Sequence, residues 1–178
     1  MSDGSVIKTQ GQRRELEHAN HRLRCTINGA ALELDVDPFE TIYDTLRERL
    51  RLTGTKGACL EGECGSCTIL VDGVPVTSCL VLAPQVEGKT ITTIEGLAER
   101  GHLHVVQRSF IDRGAVQCGY CTPGLIMSAV ALLEHTPRPT REQVREGLAG
   151  NLCRCTGYMK IIDAVLDAAD SLASVGER

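Results

Sequence analysis

The chain has 178 residues, of which 42% are hydrophobic and 3% aromatic, with no tryptophan and a formal net charge of −4. That length accommodates one domain or two small ones, with enough apolar residues for a buried core. So few aromatics leave no base-stacking surface, and the acidic balance leaves no electrostatic footprint for nucleic acid.

Residues 1–22 are polar and charged. Without an apolar h-region they are expected to form a flexible extension rather than a signal peptide. Arg13 and Arg14 are followed by Glu15, Leu16, Glu17 and His18, which is no apolar run, so a twin-arginine export signal is disfavoured. No stretch reaches the roughly 20 apolar residues that span a bilayer. The expectation is therefore a cytoplasmic protein, in which clustered cysteines mark a metal rather than disulfides.

Regular structure is expected from Leu23. Leu23, Cys25 and Ile27 alternate with polar residues, Asn28-Gly29 follows, and Leu32, Leu34 and Val36 alternate again. Asn-Gly between two alternating runs predicts a β-hairpin. Cys25 shares a face with Leu23 and Ile27, which makes it a buried structural thiol. From Pro38 the period changes, and Phe39, Ile42, Leu46 and Leu50 predict a helix capped by Asp37 and ending before Gly54.

The next segment carries Cys59, Cys64 and Cys67 in a C-x4-C-x2-C pattern, with Cys79 further on. That spacing is a stated plant-type [2Fe–2S] arrangement. Gly57, Gly62 and Gly65 allow the backbone to turn its N–H groups towards the sulfurs. A structural zinc site, the alternative, usually presents two close pairs, whereas here three cysteines crowd into one short loop. Beyond it, Thr68–Val71 and Val74–Thr77 flank an Asp72-Gly73 turn, and Leu80–Ala83 and Thr90–Thr93 supply further extended pieces.

After Ile94 the pattern is helical. Val105, Val106, Phe110 and Ile111 form a first apolar set. Thr122, read as an N-cap, and Pro123 open a second helix, which Pro137 and Pro139 end. Thr140 to Gln143 opens a third with a capping box, and residues 160–172 form a fourth. Cys118 and Cys121 fall between the first and second of these helices, and Cys153 and Cys155 between the third and fourth. Four thiols in two tight pairs suit zinc or an iron–sulfur cluster. Redox pairs Cys118/Cys121 and Cys153/Cys155 are the lesser alternative, since no thioredoxin-like βαβ pattern surrounds them.

These features together resemble the small iron–sulfur subunit of molybdenum hydroxylases, the family of xanthine dehydrogenase, aldehyde oxidase and aerobic carbon monoxide dehydrogenase. The resemblance is carried by Gly62-Glu63-Cys64-Gly65-Ser66-Cys67-Thr68, by Gln117-Cys118-Gly119-Tyr120-Cys121-Thr122-Pro123-Gly124, and by Gly150-Asn151-Leu152-Cys153-Arg154-Cys155-Thr156-Gly157-Tyr158. It implies an α+β fold: a β-grasp plant-type ferredoxin domain over residues 23–95, then a four-helix [2Fe–2S] domain over residues 96–178. It implies that Cys59, Cys64, Cys67 and Cys79 hold the cluster towards FAD. It likewise implies that Cys118, Cys121, Cys153 and Cys155 hold the cluster towards the molybdopterin, with Gln117 and Cys155 contacting the pterin. The resemblance further implies a large molybdenum subunit and a medium FAD subunit as partners, in a heterotrimer or a dimer of heterotrimers. The chain would then relay single electrons between them, with no substrate site of its own. A free-standing two-cluster ferredoxin is the competing reading, and a zinc-stabilised interaction module a third.

The remaining polar candidates have plainer readings. His18, His21, His102, His104 and His135 are read as surface histidines, and Glu61 and Glu63 as a solvated loop whose charge adjusts the cluster potential. Two roles stay open for Arg154: offsetting cluster charge, or lying at a subunit interface.

Overall fold

The computed structural model describes residues 20–176. The expected N-terminal extension, with Arg13, Arg14 and His18, thus lies up to residue 19 outside the described residues.

Strand β1 (His21–Ile27) begins two residues before the expected start, and pairs antiparallel with β2 (Ala30–Val36). Asn28 and Gly29 take φ of 49° and 81° in the two-residue turn between them, which is why Asn-Gly suits it. Strands β3 (Thr68–Val71), β4 (Val74–Thr77) and β5 (Thr90–Thr92) complete a mixed five-stranded sheet of order β2-β1-β5-β3-β4. Only β1 and β5 run parallel, as a β-grasp sheet requires.

Two expectations over this half are corrected. The helix does not begin at Pro38, because the Asp37 carboxylate accepts from Phe39 N at 2.8 Å and its carbonyl accepts from Glu40 N. These bonds make a local turn that competes with the helix. Thr41 is the cap instead, taking the Asp44 N–H, and α1 (Ile42–Asp44) runs on as a π-helical turn to Arg49. Ile42 and Leu46 are fully buried as expected, whereas Phe39 is 65% exposed. Residues 80–83 do not form a strand either, since short 3-10 turns at Ser78–Leu80 and Ala83–Val86 occupy that stretch.

The other half is a bundle of four helices: α2 (Val105–Asp112), α3 (Thr122–His135), α4 (Arg141–Gly147) and α5 (Met159–Gly176). Thr122 is the first helical residue of α3 rather than its cap, a position that falls to Cys121. Ile111, expected inside, is 56% exposed, while Val106 and Phe110 are buried. The expected Thr140 capping box is present, with Thr140 Oγ1 accepting from Gln143 N and Gln143 Oε1 from Thr140 N.

α3 is apolar on nearly every face, and such a helix must be covered all round. It packs on β3 and β4 on one side and on α2 and α4 on the other. Leu70 of β3 joins the helical core through this contact, while Leu23, Ile42, Leu46 and Ile91 form the core of the sheet. The two halves thus meet along α3, whose N-terminus follows Cys121 directly.

His104 caps α2, its Nδ1 accepting from Val106 N at 3.3 Å while Gln107 Oε1 accepts from His104 N at 2.9 Å. The capping nitrogen must be unprotonated. Burial lowers the His104 pKa below 6.5, partly opposed by Glu134 and Glu99. A depressed folded pKa means that this stability is present above the unfolded value and lost as pH falls through the folded one. Urea unfolding should therefore show a loss of about 1 kcal/mol on acidification below about pH 6. His104→Asn, which keeps a capping acceptor, should remove this component.

Candidate metal centres

The upstream loop runs from Gly57 to Cys67 without regular structure, and its course is held from both ends. Ser78 donates to the Cys67 carbonyl through N at 3.3 Å and Oγ at 2.7 Å, which ties the turn carrying Cys79 to the end of the loop. Cys67 and Cys79 are buried, and Cys59 and Cys64 half-buried. Within the set, Cys64 interacts electrostatically with Cys59, and Cys79 interacts most strongly with Cys67.

Further polar groups reach these sulfurs. Glu61 N donates to Cys59 Sγ at 3.4 Å, and Ser66 Oγ lies 3.5 Å from Cys64 Sγ. Burial opposes ionisation of Cys64, but interactions with Ser66 and Cys59 together bring its pKa down to about 7. Burial, with the hydrogen bond to Cys67, pushes Cys79 up to about 11.

The downstream set lies at one end of the bundle. Cys155 Sγ lies 3.6 Å from Cys118 Sγ, and Cys121 interacts electrostatically with Cys153. Cys118 and Cys155 are exposed, whereas Cys121 and Cys153 are half-buried. Gln117 is exposed beside Cys118. Thr156 Oγ1 lies 3.1 Å from Cys153 Sγ, and Tyr158 OH accepts from Cys153 N at 2.7 Å. Burial opposes a charge on Cys153, but Thr156 outweighs it and lowers the pKa, while burial pushes Cys121 up to about 12.

In each set, one thiol is held below the ordinary thiol pKa and a neighbour is pushed above it. A cation among the sulfurs would lower these pKa values and favour the full thiolate set. The pattern matters as much as the charge. A single zinc takes three or four protein ligands, whereas a [2Fe–2S] rhomb takes two thiolates on each iron. The interactions of Cys64 with Cys59 and Cys79 with Cys67, and of Cys118 with Cys155 and Cys121 with Cys153, fit the rhomb.

The two sets share one region of the molecule. An apolar cleft of about 250 Å3 is lined by Cys64, Ser66, Cys118, Tyr120, Cys121 and Cys155, among others. Leu152 N donates to the Cys64 carbonyl at 2.9 Å, and Tyr120 OH to the Gly57 carbonyl at 2.6 Å. Arg154 is exposed and lines the same cleft.

The histidines are placed apart from these sets: His104 is committed to its cap, and His102 is exposed in a short turn bridged to Glu99. His135 is exposed in the last turn of α3, and His21 faces Glu87 at 3.5 Å. Glu61 and Glu63 are exposed, as expected. Cys25 is buried in the sheet core opposite Leu32, and burial raises its pKa. Cys25→Ala should cost about 1 kcal/mol on urea unfolding and leave the iron content unchanged. Loss of iron in that variant would make Cys25 more than a packing residue.

Sequence reasoning missed the residues that serve the thiols without being thiols: Ser66, Thr156, Tyr158, Ser128 and Asn151. Asn151, only 4% exposed, was visible as a polar residue inside a cysteine motif, but nothing in the chain said that it would be buried.

Residues 25–98 match a family described as a 2Fe-2S iron-sulfur cluster binding domain, and residues 93–166 one described as a [2Fe-2S] binding domain. The chain is 47% identical to the nicotinate dehydrogenase small FeS subunit of Eubacterium barkeri, over 85% of this chain and 97% of that one. It is 51% identical to the xanthine dehydrogenase iron-sulfur-binding subunit of Escherichia coli O157:H7, over 82% and 92%. Among solved structures, a chain of quinoline 2-oxidoreductase from Pseudomonas putida 86 superposes with a TM-score of 0.85 at 48% identity, covering 90% of this chain and 99% of that one.

Proposed function

The chain belongs to the small iron–sulfur subunits of the molybdenum hydroxylase family, and on that premise we propose which of its residues hold the clusters and which of its faces meet the partners. Cys59 and Cys64 hold one iron of the upstream [2Fe–2S] cluster, and Cys67 and Cys79 the other. Cys118 with Cys155, and Cys121 with Cys153, do the same downstream. The observation that carries the assignment is the grouping of eight thiols in two sets of four, with Cys118 and Cys155 in contact at 3.6 Å in the downstream one.

When bound, a [2Fe–2S] cluster supplies a one-electron store whose potential depends on hydrogen bonds to its sulfurs and on exposure. The chain supplies those terms from its own residues. Ser66, Thr156 and the Glu61 N–H lie against the sulfurs, and a donor there favours the more negative, reduced state. The start of α3 directly after Cys121 sets its positive end beside the downstream thiolates.

The exposed Cys118, Cys155 and Gln117 form the face that meets the large molybdenum subunit, with Gln117 and Cys155 reaching the pterin. The upstream loop, with exposed Leu60, Glu61 and Glu63, meets a medium FAD subunit. Electrons enter this chain at the first face and leave at the second, in a heterotrimer or a dimer of heterotrimers. The chain thus works as the electron-transfer part of an oxidoreductase and acts on no substrate itself. Among the described residues, no helix is long and apolar enough to cross a membrane.

Purification of the tagged chain from cells expressing its neighbouring genes tests the reading. The expected result is copurification with two larger chains carrying molybdenum and FAD, and two distinct [2Fe–2S] signals by electron paramagnetic resonance (EPR) after dithionite. A partnerless monomer with both signals would instead be a diffusible ferredoxin. A colourless, EPR-silent, zinc-containing protein would defeat both readings.

A further inference from the structure

One buried side chain joins the two cysteine-bearing segments. Asn151 Nδ2 donates to the Gly65 carbonyl at 2.9 Å and to Thr68 Oγ1 at 3.2 Å. Thr68 Oγ1 in turn donates to the same carbonyl at 2.7 Å, and Asn151 Oδ1 accepts from Ser128 Oγ at 2.7 Å. Gly65 follows Cys64, Thr68 follows Cys67, Asn151 precedes Cys153 by two residues, and Ser128 lies on α3 beyond Cys121. A single buried amide therefore links the backbone beside two upstream cysteines to segments carrying two downstream ones. All four residues are at least nine-tenths buried, so the bonds form out of water, where they are strongest and most directional.

The backbone is equally close at this seam. A Cβ on Gly65 would lie 2.2 Å from the Gly150 carbonyl oxygen, and one on Gly124 would lie 2.2 Å from the Gly65 carbonyl oxygen. Three segments touch through main chain alone, so their spacing has no slack to take up a change at Asn151. Asn151 is within hydrogen-bond reach of none of the eight sulfurs and acts only through its neighbours.

We propose that Asn151 is a positioning residue that fixes the separation and mutual orientation of the two clusters, and with them the rate of electron exchange between the clusters. The proposal rests on the cluster assignment above. Asn151→Asp keeps the shape and the acceptor towards Ser128, but removes both donations and turns an oxygen towards the Gly65 carbonyl. Ser128→Ala keeps both donations and removes only the hydroxyl that orients the amide.

The test uses the assembled complex, with iron content and unfolding midpoint measured alongside two readouts that general stability would not move. These are the EPR spin–spin interaction between the two reduced clusters, and the rapid-mixing rate at which reducing equivalents pass from one cluster to the other. With full iron content, Asn151→Asp should alter the interaction and slow the exchange several-fold. Ser128→Ala should shift both readouts in the same direction by less. Unchanged interaction and rate in an iron-replete Asn151→Asp complex overturn the proposal. Should that variant fail to assemble, Ser128→Ala decides: altered readouts support the proposal and unaltered ones overturn it. A wild-type complex lacking two [2Fe–2S] signals would overturn the cluster assignment itself, and this proposal with it.

Discussion

Cys155→Ala is expected to lose the downstream cluster, keep the upstream one, and abolish turnover of the assembled complex. The variant leaves Cys118 exposed and alone on its side of the set, since Cys121 and Cys153 interact with each other. One iron then has a single thiolate from the chain. Removing even the outer partners of a metal ligand costs roughly 10-fold to 100-fold in affinity or activity, so losing a ligand should exceed that range. The effect should stay local, because Cys59, Cys64 and Cys67 lie on a different loop and Cys79 on a turn that Ser78 ties to the end of that loop. EPR of the reduced complex should show one signal in place of two, with half the iron retained. Turnover near wild type with one signal missing would sink the electron-transfer route assigned to this face. Two undiminished signals would sink the assignment of Cys155 as a ligand.

How much of this was legible in the chain depends on the range of the interaction. Asn28-Gly29 announced its hairpin because the turn needs positive φ at adjacent residues, a local demand. The cysteine spacings announced metal for a similar reason, since three ligands sit within one loop. Thr140 and Gln143 announced the start of α4 through a reciprocal bond confined to four residues. The region after Val36 misled because two local signals compete there. Proline and aspartate suit a helix start, but the same aspartate closes a turn on Phe39 N and delays the helix to Thr41. Residues 80–83 misled because alternation cannot reveal that Cys79 is carried on a 3-10 turn pinned to the Cys67 carbonyl. The grouping within each cysteine set, and the burial of Asn151, were invisible for a deeper reason. They arise only from contacts between residues far apart in the chain: Ser78 on the Cys67 carbonyl, Cys155 on Cys118, and Asn151 on Gly65 and Thr68.

Gly65→Ala should be among the most damaging substitutions in the molecule that leave every thiol and every hydrogen-bonding side chain in place. Its φ of +67° lies in the left-handed region, which costs a non-glycine residue roughly 1–2 kcal/mol. Its Cβ would also stand 2.2 Å from the Gly150 carbonyl oxygen, 2.6 Å from Asn151 Nδ2 and 3.0 Å from Asn151 Cα, contacts that no rotamer change can relieve at the backbone. Overpacking of this kind costs typically about 1–3 kcal/mol, which brings the expected total to roughly 2–5 kcal/mol. For a chain of this size that is a fall of about 4–20 °C in melting temperature. Two further variants separate the components. Gly29→Ala has φ of +81° with nothing within 4 Å, so it should show the backbone cost alone. Gly124→Ala has no positive φ and meets the Gly65 carbonyl oxygen at 2.2 Å, so it should show the clash alone. Gly124 also lies within α3, where alanine would ordinarily gain about 1 kcal/mol over glycine, so even a modest destabilisation means that the close approach outweighs helix propensity. Calorimetry on the three variants should place Gly65→Ala below both others, and a Gly124→Ala protein more stable than wild type would show that the seam yields.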